Sequence, residues 1–146
     1  MLNIHIDPNS FTFSEARSTT GQIWLSVEGK SFPSKNWSDF VVNLLIWWSR
    51  SYFEYCKSGG RNTLEFDFME GPYSLHGATS NKAGFIDLKL FERKNIVYSH
   101  QCIVEDLGSQ LVNNLKLSAE RAKERQGSDT DYTNLISAIE TLESLY

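Results

Sequence analysis

The stretch Asn62–Gly77, NTLEFDFMEGPYSLHG, changes character halfway. In its first half Leu64, Phe66 and Phe68 alternate with Glu65, Asp67 and Met69, the period of a strand with one buried face. Its second half, Glu70 to His76, gathers an acid, a glycine, a proline, an aromatic and a histidine. Such a cluster reads either as a reactive site or as the bend between two strands. Gly71 reaches backbone angles closed to other residues, and Pro72 fixes φ while donating no hydrogen bond. After an alternating run, that pair marks a turn or a bulge. Nothing beside it supplies the nucleophile, base and oxyanion donors of a catalytic constellation. The expectation is a bend that reorients the chain at Tyr73 and hands it to a second strand, YSLHGATS.

The rest of the fold follows outward from this bend. Downstream, GFIDLKLFE alternates again, Glu92–Asn95 is a short polar turn, and IVYSHQCIV returns as a partner strand. Strands joined by short turns make an antiparallel meander. Near the start, LNIHI is a strand stopped by Asp7-Pro8-Asn9-Ser10, FTFSEA is a second, and QIWLSVEG is a third. Between these groups lies SFPSKNWSDFVVNLLIWWSRSYFEYCKSGG, with Trp37, Val41, Leu44, Leu45, Trp48, Tyr52, Tyr55 and Cys56 at helical spacing. Ser34 or Asn36 is the expected cap, Asp39 sits where the helix dipole favours an acid, and Gly59 or Gly60 is the expected left-handed stop. Phe40, Ile46, Trp47 and Phe53 lie off the main stripe, so this helix is expected to be central and covered on several sides.

The C-terminal third reads as two helices. The first opens at Glu105 and Asp106 and runs through Leu107, Leu111, Val112, Leu115 and Ala119. Its charged end, SAERAKERQ (118–126), is expected to project into solvent. GSDTD breaks it, Asp129 or Asp131 caps the next helix, and Tyr132, Leu135, Ile136, Ile139 and Leu142 form an amphipathic stripe. The sum is one α+β domain over residues 1–146. It has an antiparallel sheet of about five to seven strands packed on a central aromatic-rich helix, with two C-terminal helices.

The composition narrows the function. At 40% apolar and 22% charged, with four Trp, six Tyr and nine Phe, the chain can build a core. A net charge of −4 opposes nucleic-acid binding, which needs a basic face. Cys56 and Cys102 form no CxxC pair; they can pair only if the fold brings them together, and otherwise read as two buried thiols in a reducing compartment. The start, MLNIHIDPNS, lacks the pattern of a signal peptide, and FVVNLLIWW is too short to cross a bilayer; a cytoplasmic location is expected.

Chemistry-bearing residues are sparse. His5, His76 and His100 show no HxH or HxxxH spacing, so no metal is expected, and the aromatic helix reads as core rather than as a cofactor pocket, so no cofactor is expected. There is no GxSxG elbow, and SGGRNT is no phosphate cradle. No catalytic residue is expected. Glu65 and Asp67 share a strand face, and Asp87 joins them if the strands are neighbours. That face reads either as a solvated sheet surface or as a docking surface for a basic partner, with Lys89 opposing carboxylate acid–base chemistry. Trp47 or Trp24, if exposed, would anchor an interface.

A Trp-bearing strand, then NWSDFVVNLLIWW, then a hydrophobic strand ending FMEGPY, resembles the WapI-like immunity proteins of contact-dependent and polymorphic toxin systems. The likeness spans roughly residues 20–105 and rests on Trp37, Trp47, Trp48, Phe68, Met69, Gly71, Pro72 and Tyr73. It implies a cytosolic bacterial non-enzyme that binds a cognate toxin domain and covers its active site or substrate path. Glu65, Asp67, Glu70 and Asp87 are then the expected partner-binding residues, chosen for charge complementarity to a basic nuclease cleft. Two alternatives stay open. One is a small-molecule-binding or enzymatic domain with a pocket between sheet and aromatic helix, lined by His76 or His100. The other is a structural module that self-associates through SAERAKERQ.

Overall fold

The computed structural model describes residues 1–14, 17–125 and 129–146. Its elements are β1 (Leu2–Thr12), β2 (Thr20–Val27), β3 (Lys30–Phe32), β4 (Ser38–Asp39), α1 (Val41–Lys57), β5 (Leu64–Asp67), β6 (Tyr73–Thr79), β7 (Phe85–Glu92), β8 (Asn95–Ile103), α2 (Val104–Lys123) and α3 (Asp129–Glu143). The α+β class is as expected, but the strands divide into two antiparallel sheets of four rather than one sheet. In the first, β1 and β3 flank β2, and β4 also pairs with β2. The second is the meander β5-β6-β7-β8 read from the sequence.

Burial follows the alternation. Leu2, Ile4, Ile23, Leu25 and Val27 are buried from the first sheet, and Leu64, Phe66, Leu75, Ile86, Leu88 and Leu90 from the second. The inner faces and all three helices share one apolar cluster. α1 is at its centre, touching β2, β5, α2 and α3. Trp48 is fully buried and stacks on Phe66 with ring centroids 5.1 Å apart, while its Nε1 donates to the Asp67 carbonyl at 3.0 Å. The indole thus brings apolar area and a satisfied polar tip to the same contact.

Several boundaries differ from expectation. The first strand does not stop at Asp7-Pro8. It runs to Thr12 with a register irregularity after Asp7, so FT ends β1 instead of opening a strand; Glu15 and Ala16 of the proposed second strand lie outside the described residues. Pro8 is tolerated because β1 is an edge strand, where a missing N–H breaks no ladder. The long helix begins at Val41 with no side-chain cap, because Ser38-Asp39 is held in β4 against β2. Gly59 and Gly60 do end it, at φ 64° and 83°. SAERAKERQ does not project freely: Ser118, Ala119 and Ala122 are buried and the Arg121 Nε donates to the Pro8 carbonyl. Gln126, and Gly127 and Ser128 of the expected break, lie outside the described residues. Asp131 sits in the first turn of α3, where its carboxylate accepts a hydrogen bond from the Thr19 hydroxyl.

Candidate protein-binding surface

The Glu70–Tyr73 segment is a bend. Gly71 has φ +77°, the Phe68 N–H donates to the Tyr73 carbonyl at 3.1 Å, and the Arg93 N–H donates to the Pro72 carbonyl at 2.7 Å. A Cβ on Gly71 would lie 2.9 Å from the Tyr73 ring, so glycine is required by angle and by space. Tyr73 folds back edge-on to Trp37 and Phe32, with centroids 5.3 and 5.6 Å away. Asp39 ties this bend to the start of α1. Its buried carboxylate accepts from the Phe40 N–H (2.7 Å), the Trp37 indole N–H (3.1 Å) and the Glu70 N–H (3.1 Å).

The bend places the expected partner-binding acids unevenly. Glu65 and Asp67 are exposed on the outward face of β5, and Glu70 is exposed on the bend that follows. Asp87 is exposed on β7, two strands away. His76 and Lys89 lie in the row across from Glu65, so the sheet face between the acids is not acidic. Asp87 belongs instead to a local network, in which the Gln101 side-chain amide donates to both Asp87 and Ser80 at 2.8 Å. The four acids therefore do not form one cluster: three line the β5 margin and Asp87 stands apart.

The β5 margin meets α1. Trp47, Arg50, Ser51, Glu54, Arg61, Asn62, Thr63, Glu65 and Asp67 line an open groove of about 660 Å³ there. Trp47, off the main stripe of the helix, is 47% exposed in this groove, and Met69 beyond β5 is 43% exposed. Of the two candidate tryptophan anchors, Trp24 is the more covered, because His5 stacks on it at 5.2 Å. Ser51 accepts the outward Glu65 N–H at 2.8 Å. Arg50, Ser51, Glu54 and Arg61 were not singled out by sequence reasoning, since membership of this groove depends on how α1 docks against β5. Two arginines against three acids make the groove mixed in charge rather than acidic.

The histidines do not converge. His76 is exposed on the outer sheet face, tilted against Phe91, away from the interface of α1 with the sheet. That interface is filled by the Trp48–Phe66 stack. His100 borders a different space of about 210 Å³ between β8, α2 and the chain start. Burial, then the nearby N-terminal charge, lowers the pKa of His100 against the opposing pull of Glu28; burial alone lowers that of His5. Both thiols are free: burial pushes Cys102 up to about 11, with Asp106 adding to the shift, and burial also raises Cys56. Among the described residues no group of three or more His, Cys, Asp or Glu could hold a metal ion. No helix among them is long and apolar enough to cross a membrane. Comparison with family models, curated protein sequences and solved structures gave no match.

Proposed function

We propose that this chain is an immunity protein. It binds a cognate bacterial toxin domain in the cytoplasm and neutralises it by covering its active site or substrate path, without chemistry of its own. The observation that carries the reading is the exposed Trp47 beside Glu65 and Asp67 on the α1–β5 margin. A rigid aromatic anchor bordered by charged groups has the make-up of a binding hot spot with a steering rim. Met69 and Glu70 extend the same pattern past β5. The filled contact between α1 and its sheet supports recognition through a surface rather than an internal pocket. Acids at the margin suit a toxin with a basic cleft, as in a nuclease.

The test is co-expression with the C-terminal domain of a large secreted protein encoded immediately upstream. Growth rescue together with co-purification is the expected result. Neither rescue nor a complex, with the toxin domain shown to be active, would overturn that pairing.

A further inference from the structure

Two sheets have four edges; among the described residues two are closed by helices and a third is short. β1 is closed by α2: the Gln110 side chain accepts from the Ile4 N–H and donates to the Leu2 carbonyl, both at 2.6 Å, and Asn114 donates to the Ile4 carbonyl at 3.2 Å. β5 is closed by α1 through Ser51 and Trp48. The opposite side of the first sheet is made of strands only three and two residues long, with Phe32 packed edge-on to Tyr73 and Tyr98. β8 differs. It pairs with β7 on one side, and among the described residues no hydrogen bond reaches its other side.

β8 also lacks the usual protection. Long edges are normally shielded by charges, proline or a covering element. Asn95–Ile103 contains no Asp, Glu, Lys, Arg or Pro, and Ile96, Val97 and Ile103 are 51%, 40% and 42% exposed. Its one irregularity, opposite Leu90 and Phe91, lies near the turn and leaves Tyr98–Ile103 in regular register. The Glu65 N–H points away from β6, toward Ser51. Carrying that alternation across β6 and β7 leaves Ser99 and Gln101 with their N–H and C=O groups turned outward.

We propose that β8 is a self-association edge. Two copies pair β8 to β8, antiparallel about a two-fold axis at Ser99, and make one continuous eight-stranded sheet. Charge selects a second copy as the occupant. Arg93 and Lys94 precede the strand, and Glu105 and Asp106 follow it in the first turn of α2. Full overlap of a nine-residue strand with itself sets its midpoint, Ser99, opposite Ser99. Each basic turn then lies beside the acidic helix start of the other copy, twice by symmetry. The strands themselves bring no like charges together, and Ile103 lies against the Asn95–Val97 end of the other copy.

Sedimentation equilibrium over a rising concentration series is the first test, with an average mass climbing toward twice that of the chain expected. Ser99→Lys and Ser99→Glu each place like charges on the axis, at an exposed position the fold does not depend on. Each variant alone is expected to dimerise several-fold more weakly, and a one-to-one mixture is expected to recover the dimer. A single-chain mass at every concentration overturns the proposal. So does a dimer that neither substitution weakens, since it would use another surface.

Discussion

Asp39 shows how one side chain can hold a binding surface together. It is 2% exposed, and its two oxygens take three N–H groups from Trp37, Phe40 and Glu70. Two of those donors fix the entry to α1, and the third fixes the bend that presents Met69 and Glu70. Replacing it with alanine strands the donors at a largely buried site, where an unpaired group costs about 1–3 kcal/mol. Asp39→Ala is therefore expected to lower unfolding stability by about 3 kcal/mol, read from urea denaturation. Asp39→Asn keeps acceptor capacity at one oxygen and is expected to lose less. Equal losses in the two variants would show that the carboxylate's hydrogen bonds are not what holds the segment.

At the scale of elements, the helices close strands as well as cover faces. Gln110 and Asn114, one helical turn apart, act as a surrogate strand for β1 at Leu2 and Ile4. Gln110→Ala leaves the Ile4 N–H and Leu2 carbonyl without these partners. A cost of about 1–3 kcal/mol is expected, with faster hydrogen exchange at the Ile4 amide than at amides of β2. Unchanged protection at Ile4 would show that α2 does not close this edge. Such closures explain which parts of the fold were legible in the sequence. The meander from Leu64 to Ile103 was readable because alternation and short turns are local signals, as was the glycine stop of α1. The division into two sheets was not, since it depends on strands pairing across long separations and on which edges the helices block. Neither was the late start of α1: Asp39 looks like a first-turn acid until β4 pairs with β2. Glu65, Asp67 and Asp87 were readable as exposed strand positions. Their separation was not, because register alone puts His76 and Lys89 between Glu65 and Asp87.

At the scale of the whole molecule, the proposed toxin contact and the proposed self-association edge lie on opposite margins of one sheet, at β5 and at β8. A dimer through β8 would leave both α1–β5 grooves at the outer ends of the continuous sheet, free to take one toxin each. Binding at the groove should then be separable from dimerisation. Trp47→Ala removes the aromatic anchor and is expected to cost at least ~2 kcal/mol of toxin affinity, roughly thirtyfold in Kd. Because Trp47 is about half exposed, its loss should spare the dimer and much of the folding stability. Reversing Glu65, Asp67 and Glu70 together should slow association and weaken its salt dependence, while Asp87→Lys, exposed on an inner strand away from the β5 margin, should matter less. The quantities to measure are Kd and association rate by surface plasmon resonance at two salt concentrations, with sedimentation run on the same variants. If charge reversal at the three margin acids leaves affinity within about threefold, a change under ~1 kcal/mol, the toxin does not read this margin. If Trp47→Ala disrupts the dimer while Ser99→Lys spares it, the two surfaces are assigned the wrong way round, and the copies meet through the α1–β5 groove instead of pairing strands at β8.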